Sequence, residues 1–209
     1  MPKVPKQKQT AWPTIGHKDE LGIVELLPNK QIIVCTKFFT LEECKKMIEL
    51  SEGMNYEQTE RGPPKRGYAF RDNDRILVNN QKFADHVWEA GLKDAINDAD
   101  AVGLNPNIRF YKYSEGQQFG AHIDESVVVD ENVSKYTVLI YLSGGTDGSN
   151  LKGGDLVFYK GRKKVVASIK PEAGLLVIHE HGDRCLQHEA LSVLKGVKYV
   201  FRTDIMYAK

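Results

Sequence analysis

The hydrophobic pattern of this chain changes its period near residue 107, and that change restricts the fold more than any other feature. Before it, apolar residues recur at helical spacing over residues 41–48 and 83–96. After it, the pattern becomes that of strands, at residues 108–113, 136–142, 155–159, 164–169, 175–179 and 197–206. Helices followed by a run of strands predict an α+β protein whose C-terminal half is a barrel or a sandwich.

The N-terminal half divides into an arm and a support layer. Residues 1–27 are rich in Lys, Pro and Gln without periodicity, so we expect a loose arm. The rest, 28–209, is expected to be a single domain, with a helical support region over 28–104 and the β core over 105–209.

Local signals mark the elements of the support region. Residues 32–35 are apolar and predict a short strand. Thr40 and Glu43 form the sequence pattern of a capping box at the start of a helix, which Gly53 is expected to end. A second helix is predicted over residues 83–96.

Composition excludes several functional classes. The 29 basic and 28 acidic residues leave a net charge of +1, too small a field to hold nucleic acid by charge alone. The three cysteines, Cys35, Cys44 and Cys185, are odd in number and form no CxxC pair, which favours a reducing compartment. Without a signal-like segment or a run of about 18 apolar residues, we expect a cytoplasmic or nuclear protein that does not enter a membrane.

The chemistry-bearing pattern is His-x-Asp. In a strand, residues two apart project to the same face, so His122 and Asp124 can present an imidazole and a carboxylate to one point. A further histidine, His188, would complete the two-His-one-carboxylate triad that holds non-haem Fe(II).

The His-x-Asp pattern also occurs at two other places, and its context separates the three. His17 and Asp19 lie in the expected arm, and His181 is followed only by His188, too close for an intervening strand. The pair at residues 122 and 124 alone follows a strand and precedes a histidine by 66 residues, enough to cross a barrel and return.

Two cations near the C-terminus compete for the distal carboxylate of an organic acid bound to the metal. Lys198 follows His188 by ten residues, which is the better spacing, whereas Arg202 offers the bidentate fork. The two lie on the same strand face, about 13 Å apart at roughly 3.3 Å per residue, so the distal carboxylate of a small diacid cannot contact both side chains. Tyr113 and Tyr141 are candidates for phenol hydrogen bonds to the same carboxylate, or for ordinary packing in the barrel.

These residues and their neighbours resemble one enzyme family. The segment Arg109–Tyr113, followed by Gly116-Gln117, Phe119 and His122-Ile123-Asp124, resembles the 2-oxoglutarate- and Fe(II)-dependent dioxygenases of the prolyl 4-hydroxylase-like branch. Further motifs agree in order over about residues 105–209, and these are Thr137 with Tyr141-Leu142-Ser143, Gly153–Phe158, Pro171–Gly174, His188 and Gly196–Tyr199. Where the family has Gly-Gly-Glu-Thr, this chain has Gly153-Gly154-Asp155-Leu156.

The resemblance implies a double-stranded β-helix, or jelly-roll, barrel with Fe(II) on His122, Asp124 and His188. It matches Lys198 to the family's 2-oxoglutarate lysine and Tyr113 to its cosubstrate tyrosine; Tyr141 and Arg202 remain further candidates for 2-oxoglutarate. The implied enzyme couples oxidation of 2-oxoglutarate by O2, giving succinate and CO2, to hydroxylation of a C–H bond. A peptidyl proline is the leading substrate, and ascorbate is a further expected cofactor.

Three alternatives remain open. A cupin-like barrel would use His179 and His181 for the metal, although the next glutamate, Glu189, lies too far along. A dioxygenase of alkylated nucleic acid would use Lys65-Arg66 and Arg162–Lys164 on phosphates, and a small molecule is the other substrate class left open. The third is a catalytically silent metal-binding barrel.

Two segments are expected to gate or grip the substrate, the polar loop 55–75 and residues 125–134, which flank the predicted metal turn. Arg75 and Arg109 are candidate substrate contacts. Neither the hydroxylated substrate nor the oligomeric state follows from the sequence.

Overall fold

The computed structural model describes residues 11–58, 69–161 and 164–209. Strands and helices alternate up to residue 96, and a long run of strands follows. The helical elements are α1 (Leu41–Glu52), α2 (Gln81–Val87), a π-helical turn (Trp88–Leu92), α3 (Lys93–Ile96) and a 3₁₀ turn (Gly182–Arg184). The strands are β1 (Gly22–Leu27), β2 (Ile32–Thr36), β3 (Asp74–Asn79), β4 (Ala101–Leu104), β5 (Asn107–Tyr113), β6 (Phe119–His122), β7 (Val128–Val129), β8 (Asn132–Tyr141), β9 (Lys152–Gly153), β10 (Leu156–Lys160), β11 (Lys164–Ile169), β12 (Leu176–Glu180), β13 (Gln187–Ala190), β14 (Val193–Lys195) and β15 (Lys198–Ala208).

The helices begin where the sequence signals place them. Thr40 accepts a hydrogen bond from the Glu43 backbone N–H and the Glu43 carboxylate accepts one from the Thr40 backbone N–H, so the capping box is confirmed. The helix predicted over residues 83–96 is divided by the π-helical turn, where Gly91 has a φ of 134°. A side chain would be strained in that conformation, so glycine permits the break.

Two antiparallel sheets build the barrel. The larger has the order β1-β2-β12-β8-β15-β5-β3, with β4 added beside β15 and β7 beside β8. The smaller has the order β11-β10-β13-β6. One buried cluster draws side chains from both sheets, including Tyr113 and Val200 of the larger and Phe158 and Ala190 of the smaller. The sheets therefore pack face to face, and the expected α+β double-stranded β-helix is confirmed.

The other face of the larger sheet packs on the helices. Phe110, Val138 and Phe201 point to this side and belong to one cluster with Met47 of α1 and Val87 of α2. Because successive residues of a strand alternate between faces, the neighbours of these apolar residues point into the barrel. Both faces of the central strands are thus buried.

The prediction of a loose arm over residues 1–27 is wrong for part of this segment. Residues 22–27 form β1, which pairs with β2, and Ile15 is buried in the helix-side core. Lys18 Nζ lies 2.9 Å from Glu43 Oε2 and ties the segment to α1. Residues 1–10 lie outside the described part of the chain.

The support region over residues 28–104 is also less helical than expected. Its strands β2, β3 and β4 join the larger sheet, because each finds an unpaired strand edge to extend. In the ranges that the structure describes, no helix is both long and apolar enough to cross a membrane.

Candidate metal centre

The three predicted metal ligands converge at the edge of the smaller sheet. His122 ends β6 and is the direct cross-strand partner of His188 in β13, while Asp124 follows two residues after β6. Asp124 Oδ1 lies 3.7 Å from His122 Nε2, and Asp124 Oδ2 lies 3.8 Å from His188 Nε2. One ligand atom from each residue lies within 4.8 Å of the other two.

Backbone carbonyls orient both imidazoles. His122 Nδ1 is 2.8 Å from the carbonyl oxygen of Gly120, and His188 Nδ1 is 2.9 Å from that of Leu186. A carbonyl only accepts, so each Nδ1 carries the proton and each Nε2 presents a lone pair toward Asp124. This outer hydrogen bond is the one that metal-bound histidines usually make.

The protonation states suit a cation. Burial lowers the pKa of His122 to about 4 and also lowers the pKa of His188, so both rings are neutral at pH 7. Burial alone would raise the pKa of Asp124, but the adjacent Arg202 guanidinium holds it well below its usual range. Neutral nitrogen lone pairs facing a carboxylate repel one another unless a cation lies between them. The donor set fits Fe(II), which this triad type binds with open positions.

The second oxygen of Asp124 is held by protein groups. Thr137 donates its hydroxyl to Oδ2 at 2.8 Å, and Arg202 NH2 lies 3.1 Å from the same atom. The guanidinium also contacts Tyr111 Oη at 3.3 Å and Asp204 Oδ1 at 3.6 Å. Arg202 therefore sits at the metal end of the pocket with two carboxylates already beside it.

Lys198 occupies a different part of the same pocket. Its side chain is only 1% exposed, its Nζ donates to the Gly154 carbonyl at 2.8 Å, and it lies 4.1 Å from the centre of the Tyr113 ring. A Cβ added to Gly154 would be 3.1 Å from Lys198 Cδ, so glycine leaves room for the lysine. Lys198 forms no ion pair within the described residues, and burial lowers its pKa to about 7.

The tyrosine candidates line this pocket as predicted. Tyr113 and Tyr141 face the interior together with Lys198 and Arg202, between the two sheets. Burial raises the pKa of both phenols, so they remain protonated donors at neutral pH. The structure thus brings every residue predicted to hold the metal or 2-oxoglutarate into one cavity.

The residues of the alternative metal and nucleic-acid sites are arranged differently from the triad. His181 has both ring nitrogens engaged, Nδ1 with Thr137 Oγ1 at 3.0 Å and Nε2 with Ser134 Oγ at 2.9 Å, so it is not free to bind a metal. His17 and Asp19 are exposed and 3.8 Å apart, in the segment before β1. The basic pairs at 65–66 and 162–163 fall outside the described residues.

The two candidate substrate arginines do not line the pocket. Arg109 lies 3.4 Å from Asp204, and the exposed Arg75 exchanges backbone hydrogen bonds with Glu57. In the flanking segments, β7 and the start of β8 fall within 125–134, and residues 59–68 of the polar loop lie outside the described chain. Gating by these segments stays a hypothesis.

Sequence reasoning missed two groups that the fold brings to the centre. His179 was considered only as half of a cupin pair, yet its Nε2 lies 3.7 Å from Asp124 Oδ2. Cys185 lies beside His188, with Sγ 4.0 Å from Nδ1, and burial raises its pKa to about 11. Period-2 alternation in β12 could have placed His179 inside the barrel, since Val177 and His179 share a face.

Comparison with known proteins agrees with the geometry. Residues 108–203 match the family model of the 2OG-Fe(II) oxygenase superfamily. No curated protein matches the sequence.

Several solved structures share the fold. The viral collagen prolyl hydroxylase of Paramecium bursaria Chlorella virus-1, solved with 2OG, has a TM-score of 0.59 and 18% identity over 86% of this chain and 98% of its own. A Pseudomonas putida prolyl-4-hydroxylase has a TM-score of 0.56 and 14% identity over 87% and 95%. A Trichoplax adhaerens prolyl hydroxylase, solved with a hypoxia inducible factor peptide fragment, has a TM-score of 0.58 and 15% identity over 86% and 84%.

Proposed function

We propose that this chain, a 2-oxoglutarate- and Fe(II)-dependent dioxygenase with the fold of the prolyl 4-hydroxylase-like branch, hydroxylates a C–H bond of a peptidyl substrate, with proline as the first acceptor to test. One observation carries the proposal. The His122–Asp124–His188 triad opens into the same buried pocket as Lys198, which has no ion-pair partner among the described residues.

The protein residues hold and orient the reacting groups. His122, Asp124 and His188 would hold iron on one side, leaving its other positions toward the pocket. When bound, the iron supplies the oxidation, coupling conversion of 2-oxoglutarate into succinate and CO2 to insertion of one oxygen atom into the substrate. Ascorbate belongs to the proposal as the reductant that keeps the iron ferrous.

We assign the distal carboxylate of 2-oxoglutarate to Lys198 rather than to Arg202. A buried ammonium that has a carbonyl and an aromatic face beside it but no anion among the described residues is costly, and a carboxylate would relieve that cost. Arg202 already lies against Asp124 and Asp204, so its charge is compensated. Its role in the proposal is to hold Asp124 Oδ2 and leave Oδ1 toward the metal.

Tyr113 and Tyr141 complete the carboxylate subsite. Their phenols stay protonated, and a protonated phenol donates a hydrogen bond to a carboxylate without adding charge. The peptide class of the substrate is supported by the Trichoplax relative, whose structure holds a peptide fragment.

The test is mass spectrometry of proline-containing peptides and of cell extract incubated with the enzyme, Fe(II), 2-oxoglutarate and ascorbate. We expect succinate to form in step with a product that has gained one oxygen, and we expect both to be absent with His188→Ala. A prolyl peptide left unmodified while another component of the extract gains oxygen would reject the prolyl substrate. Absence of succinate with every substrate would reject the activity itself.

A further inference from the structure

A second set of metal ligands overlaps the iron triad. His179, Cys185 and His188 each offer a ligand atom within 4.8 Å of the other two. We propose that this set binds a borderline-soft divalent cation, with Zn²⁺ as the best fit, and that it does so in competition with iron for His188.

His179 is the first argument for this site. The residue is 1% exposed, and its Nε2 is a buried atom that has no hydrogen-bond partner in the part of the chain described. Its Nδ1 lies 3.3 Å from the carbonyl oxygen of Glu180, which places the ring proton there and the lone pair on Nε2. A buried lone pair that lies 3.7 Å from the Asp124 carboxylate is costly without a partner, and a metal ion supplies one.

Cys185 is the second argument, because its surroundings suit a metal-bound thiolate. It is a free, partly buried cysteine, and the Asp124 backbone N–H donates a hydrogen bond to its Sγ at 3.3 Å. That bond would stabilise negative charge on sulfur. In the metal-free protein the thiol points at the Leu186 carbonyl, 3.4 Å away. Metal binding replaces the S–H proton with a metal–sulfur bond and releases the proton to solvent.

The two sets differ in the ion they favour. Two imidazoles with a thiolate suit zinc, whereas two imidazoles with a carboxylate and open positions suit Fe(II). The rings of His179 and His188 meet edge to face with centroids 4.6 Å apart. Because Nδ1 of His188 is committed to the Leu186 carbonyl, zinc would take the same Nε2 as iron, and a zinc ion held there removes a ligand from the first set.

Zinc X-ray absorption on the full-length, iron-free protein tests the site. We expect one sulfur scatterer at about 2.3 Å, together with nitrogen, in the wild type. Cys185→Ser should lose the sulfur. Cys44→Ser should keep it, because that thiol is buried between α1 and the larger sheet. His122→Ala should also keep it, because His122 belongs only to the iron triad.

Three results would overturn the proposal, and these are a zinc shell of nitrogen and oxygen alone in the wild type, a sulfur signal that persists in Cys185→Ser, or loss of the sulfur signal in His122→Ala. The measurement needs neither 2-oxoglutarate nor substrate. Its failure therefore leaves the proposed dioxygenase activity standing, and failure of succinate release leaves the zinc result standing.

Discussion

The two faces of the larger sheet are both buried but are used in opposite ways. The helix-side face is apolar, with Phe110, Val138, Ile140, Ile178 and Phe201 in one cluster with the helices. The barrel-side face of the same strands carries Tyr111, Thr137, His179, Lys198 and Arg202. Residues adjacent in sequence, such as Phe201 and Arg202, therefore have unrelated tasks.

The difference shows what burial does to each kind of side chain. On the helix side, removing apolar area from water stabilises the fold at roughly 25 cal/mol per Å². On the barrel side, the same exclusion of water disfavours the charged form of a side chain and lowers the pKa of Lys198 to about 7. One face should therefore govern stability, and the other should govern metal and cosubstrate binding. Substitutions at His188, Phe201, Lys198 and Thr40 test that division.

The largest effect is expected at the metal centre. His188→Ala removes one of three ligands and should weaken Fe(II) binding more than about hundredfold and abolish succinate release. Calorimetric titration with Fe(II) under anaerobic conditions measures the loss. His181→Ala is the control, since the His181 ring is also buried but its two nitrogens are engaged by Thr137 and Ser134. Metal loss in His181→Ala with retention in His188→Ala would reverse the assignment.

On the helix side, Phe201→Ala should destabilise the protein by about 3–5 kcal/mol, since the ring is fully buried among other aromatic rings. Denaturant unfolding of the metal-free protein measures the change. The folded fraction should bind Fe(II) with unchanged affinity. A large drop in that affinity would show that the two faces are not separate.

Lys198 should make 2-oxoglutarate binding depend on pH. The carboxylate pairs with the charged ammonium, and because the pKa in the unliganded fold is about 7, affinity should fall as pH rises from 7 to 9. Calorimetry with Mn(II) in place of iron measures this. Lys198→Met should bind about tenfold to hundredfold more weakly at pH 7 and lose the slope.

Lys198→Arg is the matched variant, because a guanidinium stays charged throughout this pH range and its affinity should not fall with pH. The stability of the fold should depend on pH with the opposite sign. The unfolded chain keeps the lysine proton to about pH 10, so the metal-free fold should gain stability as pH rises from 7. A wild-type affinity that is flat between pH 7 and 9 would contradict the role of Lys198.

The smallest effect is expected at the N-cap of α1. Thr40→Ala removes one half of the capping box at α1 and should cost about 1 kcal/mol of unfolding free energy. Chemical denaturation measures it, and Thr40→Ser should recover most of the loss. Fe(II) affinity changing in Thr40→Ala would show that α1 influences the site.

Much of this arrangement could be predicted from local pattern. Alternation placed the strands near residues 108–113, 164–169 and 197–206 within a few residues, because each strand has at least one buried face. The spacing of His122 and Asp124 implied a shared face, and the later His188 is indeed the cross-strand partner of His122.

The rest depends on contacts between distant segments. Residues 22–27 carry no strong strand signal and become β1 only because the edge of β2 is available to pair. The contact between Arg202 and Asp124 joins β15 to the turn after β6, across two sheets, and no local spacing encodes it. The approach of Cys185 to His179 likewise requires the turn after β12 to fold back.

Anomalous diffraction from crystals soaked with Mn(II) tests the central claim most directly. A single strong peak bonded to His122 Nε2, Asp124 Oδ1 and His188 Nε2, with its open side toward Lys198, is the predicted result. A peak at any position that excludes His122 and Asp124, with these two side chains unligated, would contradict the account.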